Sequence, residues 1–292
     1  MPESLRPKPE KWVRDELSTA TTPNREINDL WKAKALELFE SIAQRHATRR
    51  GQQPGFRFQL GITLRMLQAN QGKVLDVGCG SGSVTAALHT RGFSVVGIDF
   101  SPAMINQACH LIPPDGAVQF CQADAEYLPF PDGSFDYVTC VGVLEFLHDF
   151  RPPLAEISRV LRPGGLAVLS VPNRISPYYL AYRSATSVNR AIKRFSAVRR
   201  SAGHNVKMRY AFQSHWNSCI PWRFRKLLRG EGLEQQEASY CNFCLFPLDR
   251  IWPAANDWLV TVLEPFRRVP LLSWTASQYI VSVRKCITFR QK

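Results

Sequence analysis

Between Ile157 and Gly230 the sequence contains no aspartate or glutamate, although fifteen lysines and arginines fall there. Outside that stretch 22 basic residues stand against 24 acidic ones, so the formal charge of +13 belongs to one segment. Its meaning depends on where that segment sits relative to the functional site, and any base it donates must be non-carboxylate. Long apolar runs are missing as well: nothing approaches the roughly 18 residues of a spanning helix. Residues Met1 to Lys11 lack the apolar core of a signal peptide. These absences lead us to expect a cytoplasmic protein, peripheral to a membrane at most. Among the eight cysteines only Cys241 and Cys244 are closely spaced, and no second Cys or His pair stands at metal spacing, so no metal is expected. Cys79, Cys121 and Cys140 lie in apolar runs and read as buried thiols of a reducing compartment. Repeats and low-complexity tracts are absent.

Residues 1–24, with four prolines, read as a mobile arm, and 25–292 as a single domain. Ile27, Trp31, Ala35, Leu38 and Ile42 recur at helical spacing, which predicts a helix running to about Arg49. A second helix, Phe58 to Ala69, is interrupted by Gly61. Together (25–72) they are expected to cover one edge of the core rather than take part in chemistry. From residue 73 apolar runs of strand length alternate with helical segments. Strands are predicted at Lys73 to Val77, Ser94 to Ile98, Val118 to Gln122, Phe135 to Val141 and Leu166 to Val171. Helices are predicted near Ser83 to Arg91, Pro102 to Leu111 and Pro152 to Leu161. Such alternation predicts an α/β, Rossmann-like, doubly wound and mainly parallel sheet, with its ligand at the carboxyl ends of the strands. Later strands are plausible at Leu233 to Tyr240 and Gln278 to Arg284.

The first strand, Val74-Leu75-Asp76-Val77, breaks into Gly78-Cys79-Gly80-Ser81-Gly82 before a helix start. Alternating glycines suit a backbone that passes close to a ligand, and the helix presents unpaired N–H groups to it. By itself the turn suits several adenosine-containing ligands, although the spacing is not the Gly-x-Gly-x-x-Gly of dinucleotide enzymes. Asp99 ends the second strand seventeen residues beyond Gly82, where a carboxylate can accept from both ribose hydroxyls, and Phe100 beside it could pack on a purine. Asp124 ends the third strand, positioned to accept from an adenine amine. Pro129-Phe130-Pro131-Asp132-Gly133-Ser134-Phe135-Asp136 and Arg159-Val160-Leu161-Arg162-Pro163-Gly164-Gly165 follow in order.

From about Val74 to Asn173 this succession resembles the class I S-adenosylmethionine-dependent methyltransferases, in particular the small-molecule branch (methyltransferase type 11) that includes quinone and lipid methyltransferases. The resemblance implies a seven-stranded sheet with an antiparallel last strand, S-adenosyl-L-methionine as cofactor, and methyl transfer to O, N or C of a small or lipid-like acceptor. It implies that Asp76, Gly78, Gly80 and Gly82 hold the methionine moiety and Asp99 the ribose. Phe100 and Met104 would flank the adenine, Asp124 and the Ala125 amide would read its edge, and Val141 would offer backbone contact. Relatives often read Leu-Glu-His after the fourth strand; this chain has Leu144-Glu145-Phe146, with His148 two residues later as the candidate base and Glu145 as a further one. Such chemistry asks little of side chains beyond holding a nucleophile in line.

The cofactor core is thus placed at 73–173, a basic lid insertion at 174–220, and C-terminal strands with an apolar helical insertion at 221–292. Tyr178, Ala181, Tyr182, Ala185, Val188, Ile192 and Phe195 share one helical face, while Arg183, Arg190 and Arg194 share the opposite one. This helix, 178–195, has three readings: a lid over the acceptor, a contact with anionic lipid, or a contact with nucleic acid. Apolar residues between Trp252 and Trp274 are expected to frame an acceptor pocket, which His204, Tyr210, His215 and Tyr240 could also reach. An RNA methyltransferase and a non-catalytic S-adenosylmethionine-binding regulatory partner remain as alternative functions.

Overall fold

The computed structural model describes residues 23–113, 116–196, 217–245, 247–267 and 269–287. Its organising strand is β1 (Lys73–Val77), buried at every position after Lys73. Because side chains alternate across a strand, Val74 joins an apolar cluster with α2 (Pro54–Met66) and α3 (Ser83–Thr90). Leu75 and Val77 join the opposite cluster with α5 (Arg151–Val160) and α7 (Pro221–Gly230). An apolar run buried on both faces is what parallel pairing under helices requires.

β2 (Ser94–Asp99) and β3 (Val118–Gln122) extend the sheet on one side of β1, and β4 (Phe135–Cys140) and β5 (Leu161–Pro172) on the other, all parallel. β7 (Gln278–Lys285) inserts between β5 and β6 (Leu233–Cys241), antiparallel to both. The order is β3-β2-β1-β4-β5-β7-β6. Its direction of growth reverses between β1 and β4, and the crevice opens at that switch point.

α1 (Pro23–Arg49) takes in the last two residues assigned to the arm; residues 1–22 lie outside those described. α2 runs through Gly61 without a break, because proline at its first turn and burial of Phe56, Ile62 and Met66 outweigh one glycine. α4 (Pro102–Leu111) is capped by Ser101, whose Oγ accepts from the Met104 amide at 3.2 Å.

Two insertions leave the sheet at one edge. α6 (Pro177–Ser196) follows β5, while α8 (Leu248–Ile251), α9 (Pro253–Leu263) and α10 (Pro270–Ser273) lie between β6 and β7. Pro172 and Cys241 both pair with Gln278, so both insertions emerge at the carboxyl ends of the parallel strands, the edge that carries Gly78 to Gly82. Among the described residues, none between Trp252 and Trp274 lines either of the two cavities given below. Asn256 and Val260 are buried, but Trp252, Trp258 and Trp274 are more than half exposed. Among the described residues no helix is long and apolar enough to cross a membrane. His204, Tyr210 and His215 lie outside the described residues.

Candidate active site

Where β1 ends, Gly78 takes φ +68°, and a Cβ there would sit 2.2 Å from Val143 Cγ2. Only glycine lets this turn and the loop after β4 meet so closely. Asp76, 2 % exposed, accepts from Thr85 Oγ1 at 2.7 Å and from Thr139 Oγ1 at 2.8 Å, tying β1 to α3 and β4. Burial pushes its pKa up to about 6 against the pull of those hydroxyls. Asp99 Oδ2 accepts from the Gly80 amide and Oδ1 from the Ser101 amide, each at 2.9 Å, so the end of β2 fixes the turn's second glycine. Burial raises the Asp99 pKa, opposed by these N–H groups.

Above the turn lies a cavity of about 310 Å³. Gly78 and Gly80 form part of its wall, Asp99, Phe100 and Met104 another, and Asp124, Ala125 and Val141 a third. Asp76 and Gly82 do not reach it: Asp76 is locked beneath the turn, and Gly82 is the N-cap of α3, packed against Ala108. His148 does not reach it either. Its ring stands edge-on to Trp31 at 6.1 Å and borders a second cavity, also of about 310 Å³, with Arg174, Tyr179, Arg183 and Asn217. Leu147 borders both cavities.

α1 does more than cover an edge of the core. Its stripe of Ala35, Leu38 and Ile42 roofs the first cavity, joined by Phe39, which meets Phe146 edge-on at 4.9 Å. Glu40 Oε1 accepts from Ser101 Oγ at 2.7 Å, and Lys32 Nζ lies 2.6 Å from Asp124 Oδ2 and 2.5 Å from Glu126 Oε2. Burial by itself would lower the Lys32 pKa; the two carboxylates outweigh it and raise it. Asp124 Oδ1 also accepts from the Glu126 amide at 2.9 Å, so each oxygen offers only its second lone pair to the cavity.

His46 and Arg50 extend the α1 stripe by two further steps of four. The His46 ring nitrogen Nδ1 is 3.1 Å from Ser81 Oγ, and burial, with the Arg50 charge, pushes its pKa down to about 4. It is therefore a neutral ring at pH 7. The Arg50 guanidinium lies 4.6 Å over the Phe56 ring and next to Gly142, and makes no hydrogen bond or ion pair among the described residues. Burial lowers its pKa against the Glu145 charge. Buried Glu145, also near Gly142, has an Oε2 without a hydrogen-bond partner among the described residues, and burial pushes its pKa up to about 7 despite Arg50. Lys32, Glu40, His46 and Arg50 escaped the sequence reading. The signal was there in part, since the apolar positions 35, 38 and 42 continue at 46 and 50 as polar residues.

A glycine cradle, a half-buried acid at the end of β2, apolar walls and an uncommitted guanidinium are the groups that a ligand with an adenine ring, a ribose diol and an amino-acid carboxylate needs. This sheet, with this site at its switch point, is the class I methyltransferase architecture. The Burkholderia thailandensis 1,6-didemethyltoxoflavin-N1-methyltransferase, solved with 1,6-didemethyltoxoflavin and S-adenosylhomocysteine, superposes with a TM-score of 0.54 at 18 % identity over 92 % of each chain. At that identity the likeness establishes the fold. Residues 75–169 match the family model described as a methyltransferase domain, the stretch that holds the glycine turn, Asp99 and Asp124. Over 98 residues the chain is 43 % identical to the 2-methyl-6-phytyl-1,4-hydroquinone methyltransferase of Synechocystis sp., which is 33 % of this chain and 31 % of that one. Over 110 residues it is 39 % identical to the ubiquinone biosynthesis O-methyltransferase of Pseudomonas aeruginosa, 37 % and 47 % respectively. The chain thus matches less than half the length of either.

Proposed function

We propose that this protein transfers a methyl group from S-adenosylmethionine to an oxygen, nitrogen or carbon atom of an apolar, quinone-type small molecule. The observation that carries the reading is the pair of cavities meeting at Leu147: one has the groups for the donor, the other opens beside it under the α6 insertion. The names of the relatives, one a 2-methyl-6-phytyl-1,4-hydroquinone methyltransferase and one a ubiquinone biosynthesis O-methyltransferase, support an aromatic acceptor.

On this reading Asp99 accepts from the ribose hydroxyls, Phe100 and Met104 hold the purine, and Asp124 with the Ala125 amide reads its edge. Arg50 takes the carboxylate, filling the guanidinium's open donor positions. S-adenosylmethionine supplies a sulfonium methyl that is already electrophilic. The chain's own contribution is alignment, which can provide roughly 7–11 kcal/mol of a barrier. Ala35, Leu38, Phe39 and Ile42 keep water from the donor, and His148 receives the proton where the acceptor is a hydroxyl.

Calorimetry with S-adenosylhomocysteine should show binding by the full chain, and Asp99→Ala should abolish it. Normal affinity in that variant would mean the ribose lies elsewhere. Incubation with methyl-labelled S-adenosylmethionine and a lipid extract should then label an aromatic lipid. Cofactor binding without transfer to any cell component would favour the non-catalytic alternative.

A further inference from the structure

α9 carries its apolar residues on the wrong side for a core. Asn256, Val260 and Glu264 face inward, four residues apart, and α9 packs on α2. Trp258, Val262 and Phe266 form a second row at the same spacing on the opposite side, 66 %, 42 % and 52 % exposed. Ile251 and Trp252, 77 % and 65 % exposed, precede that row, and Leu245 lies just before them. This is a contiguous stretch of large apolar side chains left to solvent, of the kind that marks an interaction surface. Its only exposed acid between Ile251 and Trp274 is Asp257, because Glu264 is fully buried.

We propose that this face is a docking surface for an anionic lipid bilayer, on which the α9 row lies in the headgroup region with the acceptor entrance turned toward the membrane. Three observations select that occupant. Trp258 in the row and Trp252 before it are indoles, whose apolar body and polar N–H suit the boundary between water and hydrocarbon. The neighbouring insertion is complementary in charge: the sequence of α6 holds basic residues and no acid, and Tyr178 Oη donates to Asp249 Oδ2 at 2.9 Å, fixing the start of α6 to α8. A second copy of the chain would bring the same acid-free segment against itself, which like charge opposes. Finally, both insertions leave the sheet at the edge where the cavities open, so a bilayer held there delivers a lipophilic acceptor without passage through water. That delivery rests on the methyltransferase reading; the docking does not.

The test is co-flotation of the full chain with phosphatidylcholine vesicles, with and without phosphatidylglycerol, alongside the blue shift of tryptophan fluorescence. Binding should require phosphatidylglycerol and weaken as salt is raised. Trp258→Ser and Phe266→Ser should each weaken partitioning about tenfold, the scale of burying one large apolar side chain. Unchanged S-adenosylhomocysteine affinity in the same variants shows that they are folded. Absence of flotation with phosphatidylglycerol, or variants that float as well as the parent, would overturn the proposal. So would concentration-dependent self-association that Trp258→Ser abolishes, because the face would then be covered by a second copy. A chain that floats but does not bind S-adenosylhomocysteine would leave the docking standing and remove the methyltransferase reading.

Discussion

Arg50 and Glu145 both lie beside Gly142; among the described residues the guanidinium makes no hydrogen bond, and Glu145 Oε2 accepts none. Because the guanidinium gives up no hydrogen bond, Arg50→Met should fold normally. If it holds the methionine carboxylate, the variant should lose about 10–100-fold in S-adenosylhomocysteine affinity, the scale of a charge-assisted bidentate contact. Adenosine, which has no carboxylate, should bind Arg50→Met as well as it binds the parent, and calorimetry with both ligands makes the comparison. Gly78 has a different sensitivity. Gly78→Ala puts a methyl against Val143 in a backbone conformation with φ +68° and should destabilise the fold by about 2–5 kcal/mol, read from denaturant unfolding. Asp99 and Asp124 were legible in the sequence because each ends a strand next to the glycine turn. Arg50 was not, since its role comes from Gly142, far away in the chain and brought close only by the fold.

At the scale of elements α1 is the surprise. Its apolar stripe was readable, but which surface the stripe would cover was not, and it roofs the cavity. The clasp is Lys32, which meets Asp124 and Glu126. Lys32→Met removes the cation that Asp124 and the 2 % exposed Glu126 carboxylate share and should cost about 2–3 kcal/mol by thermal or chemical unfolding. Saturating S-adenosylhomocysteine should slow amide hydrogen exchange in α1 more than in α7, since of the two helices only α1 borders the first cavity. Equal protection of the two helices would mean that α1 is simply part of the global unfolding unit. Strand limits, by contrast, are legible to within a residue or two for six of the seven, because apolar runs or, in β6, alternating burial are bounded by turns. β5 was the exception: it begins at Leu161, before its Pro-Gly-Gly turn, since Leu161 pairs with Phe135 across a register shift.

For the molecule as a whole, buried ionisable groups set the pH dependence. Asp76 at about 6 and Glu145 and Glu264 at about 7 all lie above their unfolded values. Folding therefore favours their protonated forms, and the stability they confer is full below the unfolded pKa and lost as pH rises through 6 to 7. His46, at about 4, works the other way: its contribution is full above about 6.5 and lost as pH falls toward 4. With three groups against one, the melting temperature should be higher near pH 5.5 than near pH 8. Glu145→Gln and Glu264→Gln should each raise it at pH 8 and flatten the slope, in a fluorimetric melt across pH. The sequence by itself determined the alternating architecture, the glycine turn and the acids at the ends of β2 and β3, because these depend on local periodicity and on residues adjacent to strand ends. Only the tertiary structure decided that α1 roofs the first cavity, that Arg50 faces it uncommitted, that His148 stands in the neighbouring cavity and that the Trp258 row faces solvent. Those outcomes follow from which surfaces remain to be covered once the sheet is complete, and spacing along the chain carries no record of that.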